Sequence, residues 1–394
     1  MIFDLFHSIS DPIVTGQRQG PARCITNFLA QARLAEELGV DTVWCAESHF
    51  SSEVQKKTSL ATIPHFQGEV GLNSDSFQLF HLLAAETERI HLGVGIHNIV
   101  GGSGGPIASA DRVNTLRFVN ELFWRPARTL RIGVAAGRFA YQNAPFGITP
   151  RTPTEKILWP AVRRIAFLEA VEIFLRLLRG EALSATDLAP HAISEAEART
   201  TLKADFDTVC SGIEFPYRVA PRWPFELLEL VPCSLSSEHL RIVLGSADPE
   251  ALAVARRYWD VDLFQLSFTP PGAIEKIHQK MAADWPSWHR SRLPRTVLVF
   301  IDPDRARAHR LADTVLDTYI EAMRGTAEVP DKRVLLERAL VGDATEIREQ
   351  LSPDNPRGFH RDDRLMLWFE FNQLDGDAVA RQMTYFFREV AEKI

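Results

Sequence analysis

The sequence predicts an α/β fold, specifically a (β/α)8 TIM barrel, on three observations. Short β-rich apolar runs alternate with amphipathic helices along most of the chain. Eight such pairs can be read, and their strands are continuously apolar, as strands covered on both faces are. The turn after the first strand, Ser8-Ile9-Ser10-Asp11-Pro12, has no G-x-G-x-x-G, which argues against an open dinucleotide-binding sheet.

The elements follow in order. Ile2 to Phe6 reads as the first strand. Pro21 to Leu38 reads as a helix, with Ile25, Phe28, Leu29, Ala32 and Ala35 on one stripe and Gly39 placed to end it. Asp41 to Ala46 is the second strand, and Phe77 to Glu86 the next helix. Ile90 to Ile96 is the third strand, followed by the glycine-rich Gly101 to Gly105 and a helix from Ala108 to Leu122. That loop lacks the Gly-Lys-Ser/Thr of a nucleotide-binding P-loop and reads as a flexible turn at a pocket rim. Leu130 to Ala135 is the fourth strand, and a long helix covers Ala161 to Leu178. Arg241 to Leu244, Asp262 to Leu266, Arg295 to Ile301 and Arg364 to Trp368 complete the strands, with helices following at Pro249, Pro271, Asp304 and Gly376.

A barrel of this kind needs about 250 residues, whereas the chain has 394. The surplus is expected as insertions after strands 2, 4 and 7, at 48–73, 180–237 and 322–342, within one domain spanning 1–394. With 44 Lys+Arg against 51 Asp+Glu the net charge is −7, no footprint for nucleic acid. No run approaches the roughly 18 apolar residues that span a bilayer, and the amino terminus has no basic signal region, so no membrane association and a cytoplasmic location are expected. Cys24, Cys45, Cys210 and Cys233 are too scattered for a disulfide framework or zinc knuckle and read as free thiols.

In a barrel the active site lies at the carboxyl ends of the strands. Those ends offer His7 and Ser8; Glu47, Ser48 and His49; Gly95, Ile96, His97 and Asn98; Ala135, Ala136, Gly137 and Arg138; Gly245 and Ser246; and Ser267. Small residues with a few histidines suit a flat, largely apolar ligand better than a sugar or polyanion. Gly245-Ser246-Ala247-Asp248-Pro249 joins a strand to a helix, where free N–H groups favour a phosphate; an ordinary cap by Asp248 is equally compatible. His49, His97 and Glu47 lack the tight spacing of a metal site, and no metal is expected.

Several of these segments resemble the bacterial luciferase-like, flavin-dependent monooxygenase family. Ala35 to Phe50 is similar to the helix and second strand that end in Glu-His-His-Phe, here Glu47-Ser48-His49-Phe50. Thr87 to Gly95 resembles the third strand, and Arg131 to Gly137 with Pro145-Phe146-Gly147 the fourth. Ile242 to Asp248 resembles the flavin-phosphate strand, and Val341-Gly342-Asp343 a late turn. The resemblance implies a barrel that binds FMN, or the deazaflavin coenzyme F420, at the strand ends. It places Gly95 and Ile96, joined by a cis peptide in the family, against the flavin ring. It places Ala135 where the family has a cysteine, Gly245 and Ser246 at the phosphate and Ser267 near the flavin.

Besides Ala135, the sequence departs from the family at two further positions. Ser48 replaces the first histidine, the one proposed as catalytic base, so His49 is the expected acid/base group, with His97 in reserve and Ser48 as a relay. Ala136 replaces a phosphate-binding arginine, and Arg138 lies two positions on. The function expected is a monooxygenase using reduced FMN and O2, oxygen adding at flavin C4a, with a separate flavin reductase and a small organic substrate. An F420-dependent oxidoreductase, a flavin-binding homologue without catalysis and a metal hydrolase are the alternatives. A homodimer is expected through the helices of Phe77–Glu86 and Ala108–Leu122, which carry Leu79, Leu82, Leu83, Val113, Leu116 and Val119.

Overall fold

The computed structural model describes all residues except 58–62, 125, 138–139, 203–205, 234 and 327–328. The architecture is mixed α/β with nine strands in one large parallel sheet. The eight expected strands are β1 (Ile2–His7), β2 (Thr42–Cys45), β3 (His91–Asn98), β4 (Leu130–Ala135), β5 (Leu240–Leu244), β6 (Asp262–Leu263), β7 (Arg295–Ile301) and β8 (Arg364–Trp368). Their helices are α1 (Pro21–Glu37), α2 (Ser76–Glu86), α3 (Gly105–Phe123), α4 (Trp159–Leu178), α5 (Pro249–Tyr258), α6 (Pro271–Asp284), α7 (Arg305–Ala322) and α8 (Gly376–Glu389). Four of these eight helices start on an aspartate whose carboxylate accepts from first-turn N–H groups: Asp75 for α2, Asp248 for α5, Asp304 for α7 and Asp375 for α8. The strand and helix order of a (β/α)8 fold is thus written into apolar runs and their caps.

Two compact units are present, Met1–Ile96 with Trp124–Gly133 and Asp262–Ile394, and His97–Phe123 with Val134–Val261. In the first, β1 pairs in parallel with β8 and β2, β2 with β3, and β7 with β8. Gln265, just past β6, bridges Arg295 of β7. Side chains alternate across each strand. Outward, Phe3 and Phe369 meet Phe386 of α8 edge-on at 5.5 and 5.7 Å, and His7 meets Phe28 of α1. Inward, a Cβ placed on Gly95 would come within 3.3 Å of Phe6 and Phe264 and 3.6 Å of Met366. Side chains from β1, β8 and the end of β6 therefore close around Gly95 of β3, leaving a tight fit for any larger residue.

Below that layer the inward positions are charged. Arg364 donates to Asp4 at 2.8 Å and to Asp41 at 2.6 Å, and Trp44 Nε1 donates to Asp4 at 2.8 Å. Burial raises the Asp4 pKa against the pull of Arg364. Burial also works against ionised Asp41, yet Arg364, Thr42 and Arg131 outweigh it and bring its pKa down to about 2. This network occupies the strand amino ends, the face associated with stability.

In the second unit Gly245 N donates to Val134 O at 2.9 Å, setting the end of β5 against β4. The insertion after α4 carries a hairpin of His191–Ile193 and Tyr217–Val219, and Ile193, Ala198, Cys210 and Val219 bury against Val162 and Ile165 of α4.

Some expectations need correction. The 322–342 stretch holds a ninth strand, Leu340–Gly342, parallel to β7, and β6 has two residues instead of five. The glycine-rich loop is packed: a Cβ on Gly101 would lie 2.4 Å from Asn143, and one on Gly105 2.7 Å from Trp223. Of the residues assigned to a dimer face, Leu83, Val113 and Leu116 are core, while Leu82 is exposed together with Leu122 and Phe123.

One packing detail sets a pH dependence. Trp288 Nε1 donates to His278 Nδ1 at 3.3 Å, and burial, aided by Arg290, lowers the His278 pKa to about 4. Between its ordinary 6.5 and about 4 the unfolded chain binds a proton that the fold refuses. Stability is therefore full above pH 6.5 and falls as the pH drops toward 4, by about 2–3 kcal/mol at most. Urea unfolding at several pH values should show this slope, and His278→Asn should flatten it. A slope unchanged in that variant would assign the effect elsewhere.

Candidate active site

In the first unit the inward positions at the carboxyl ends of β1 and β8 are polar. Ser8 follows Asp4 and Phe6 in phase, and Glu370 follows Arg364, Met366 and Trp368. Glu370 Oε1 accepts from Ser8 N, from Ser8 Oγ at 2.8 Å and from Trp368 Nε1 at 3.0 Å, and Ser8 Oγ also lies 3.0 Å from Ser10 Oγ. Beneath them Phe6 and Trp368 pack edge-on at 4.8 Å. Ile9, Phe50 and Asn372, each a few residues past the end of β1, β2 or β8, have φ of 52°, 66° and 52°. Left-handed backbone costs about 1–3 kcal/mol at residues such as Ile9 and Phe50, less at asparagine, and gathers at functional sites.

His49, beyond β2, is buried, and its Nε2 lies 3.1 Å from Oε1 of the buried Glu47. The carboxylate fixes the orientation of the imidazole. Ser48 is half-buried, with its N–H donating to Asn73 O at 2.8 Å and Gly71 packed against its Cβ. Gly95 and Ile96 are joined by a non-proline cis peptide. The Ser267 hydroxyl is engaged with Thr296 Oγ1 at 2.7 Å.

In the second unit His97 is fully buried and meets Ser109 of α3 at 2.8 Å. Ala135 O accepts from Ile99 N, and Asn98 Nδ2 donates to Asn143 Oδ1 at 3.0 Å, tying the end of β3 to the segment after β4. Arg138 lies outside the described residues. A cavity of about 120 Å³ opens beside this segment, lined by Ala136, Ile148, Trp159, Arg163 and Ala166 among others.

The turn before α5 combines both readings offered by its sequence. Asp248 accepts from Glu250 N at 2.8 Å and Ala251 N at 3.1 Å, so it caps the helix. Ser246 Oγ accepts from Asp248 N at 3.1 Å and keeps its own proton to donate. Among the described residues the N–H groups of Ser246 and Ala247 make no hydrogen bond. Arg164 of α4 reaches the same turn, at 2.8 Å from Asp248 and also against Glu250. Two donors, a hydroxyl and a guanidinium thus meet at one helix start, the guanidinium already paired with Asp248, Glu250 and Glu197.

Sequence reading missed Arg164 and Glu370. No motif marks either, although the strand phase that places Trp368 inward also places Glu370. Among the described residues no group of three or more His, Cys, Asp or Glu is arranged to hold a metal, and no helix is long and apolar enough to cross a membrane.

The family model described as luciferase-like monooxygenase matches residues 5–362. No curated protein matches the chain by sequence. Among solved structures, monooxygenase RslO1 from Streptomyces bottropensis is similar at a TM-score of 0.70 and 18% identity, covering 100% of this chain and 99% of that one. The oxygenating constituent of 3,6-diketocamphane monooxygenase from Pseudomonas putida, in complex with FMN, is similar at 0.59 and 14%, with 100% and 99% covered. An F420-dependent secondary alcohol dehydrogenase follows at 0.56 and 14%, with 99% and 98% covered.

Proposed function

Because the chain belongs to the luciferase-like monooxygenase family, we propose that it uses reduced FMN and O2 to oxygenate a small organic substrate, the reduced flavin coming from a separate reductase. The family match over residues 5–362 carries this reading. When bound, reduced flavin supplies the electrons that activate O2.

The residues fit such a group. Ser246 N–H, Ala247 N–H, the Ser246 hydroxyl and Arg164 are donors suited to its phosphate. Gly95, closely packed by Phe6 and Phe264, and Ile96 offer an apolar surface for a flat ring. His49, held by Glu47, moves a proton, and Ser48 relays it or leaves space for substrate. A homodimer is part of the same proposal.

Titration with FMN and with F420, each followed by oxygen consumption in the reduced form, tests the reading. Tight FMN binding with O2-dependent product supports it, whereas binding of F420 alone with no oxygen uptake replaces it by a deazaflavin oxidoreductase. The phosphate assignment has its own check. Ser246→Ala removes a donor to a charged group, about 1.5–3 kcal/mol, and should weaken FMN binding roughly tenfold or more. Gly245→Val should weaken it further by holding the backbone away. Unchanged fluorescence quenching in both variants would place the phosphate elsewhere.

A further inference from the structure

Glu370 is 93% buried by its 7% exposure, inward-facing and beyond the end of β8, yet only one of its carboxylate oxygens is used. Oε1 takes the Ser8 N–H, the Ser8 hydroxyl and the Trp368 indole N–H, and His7 Nδ1 is 3.3 Å from the same atom. Among the described residues Oε2 accepts no hydrogen bond. The clamp between β8 and the turn after β1 is complete without Oε2. Oε2 is not sealed off by the fold: it is the oxygen left accessible, on a side chain whose other oxygen is fully committed to the clamp.

We propose that Glu370 Oε2 is a substrate-binding acceptor and that the substrate carries a hydroxyl or N–H donor. Trp368, half-buried and backed by the buried rings of Phe6 and Phe371, is the aromatic surface against which the apolar body of such a molecule would lie. The donor would meet Oε2, with the Ser8–Ser10 hydroxyl pair alongside. The site selects for a polar handle on an otherwise apolar ring or chain, because a site built to hydrogen-bond a donor rejects the analogue without one. This assignment rests on the oxygenase reading for its biological meaning, though its binding chemistry stands apart from the flavin.

Phenol and anisole test it, since they are similar in shape and only phenol donates. Each is titrated by calorimetry against the whole chain, first without cofactor and then with oxidised FMN. The wild-type protein should bind phenol at least tenfold more tightly than anisole. Glu370→Gln keeps an oxygen for Ser8 and Trp368 and turns the other atom into a donor, so the ratio should fall to within about threefold at unchanged Tm and FMN affinity. Equal or absent phenol binding in the wild-type protein overturns the assignment, as does a ratio preserved in the variant. If the variant does not fold, the wild-type ratio decides alone. Phenol preference without any FMN binding would count against the flavin reading and leave Glu370 standing.

Discussion

In His49→Ala, oxygenated product is expected to fall by roughly 10²–10⁴-fold, the usual contribution of a positioned acid/base group. FMN affinity and Tm should stay near wild type, because the phosphate is assigned to Gly245 and Ser246 and the His49 ring is oriented by Glu47. The electrons of reduced flavin should then leave as H2O2. The argument rests on position and chemistry together. His49 lies beyond β2 at the mouth side of its strand, buried, with a carboxylate 3.1 Å from Nε2 to hold one ring orientation. Ser48, where the family has a histidine, cannot take up a proton near neutral pH by itself, since a hydroxyl needs an adjacent base. His97 is packed on Ser109 of α3, a place that serves the strand–helix layer. Product formed per flavin oxidised is the measurement, and full coupling in His49→Ala would move the role to another residue.

Arg364→Leu should destabilise the fold by about 3–5 kcal/mol, because it strands buried Asp4 without its cation. Asp4 has no exposure, and its other polar partner is the Trp44 indole. Replacing both members, Asp4→Leu with Arg364→Leu, should recover part of the loss, since Asp4 no longer carries a stranded charge, while the half-exposed Asp41 keeps Arg131 and Thr42. Urea denaturation of the two single variants and the double variant measures this directly. A strictly additive double variant would show that the pair is not coupled. Asp41 adds an acid limb: its pKa near 2 lies below the ordinary 3.8, so its contribution is full above about pH 4 and is lost as the pH falls toward 2.

The barrel was legible because its strands are unbroken apolar runs and its helices carry stripes and caps. Leu130–Ala135, Arg295–Ile301 and Arg364–Trp368 end where the sequence puts them. Leu340–Gly342 was not legible, since three residues inside a polar stretch show no periodicity and become a strand only by pairing with β7. The apolar faces of α2 and α3 read as a dimer surface because periodicity marks a buried stripe without saying what buries it. For Leu83, Val113 and Leu116 the answer is this chain's own core. The proposed site draws on sequence where a local pattern points to it, in Glu47-Ser48-His49 and Gly245-Ser246. Glu370 and Arg164 depend on register and on contacts 362 and 84 residues apart in sequence, which no window of sequence contains.

The central claim is that this chain places oxygen from O2 into an organic molecule at the expense of reduced FMN. The most direct test supplies the protein with chemically reduced FMN, isotopically labelled O2 and a hydroxyl-bearing aromatic or alicyclic compound, and reads the mass of the product. The account predicts one labelled oxygen atom in the product for each flavin oxidised. Flavin oxidised entirely to labelled H2O2 across a broad substrate panel, or no affinity for FMN in either redox state, would contradict it.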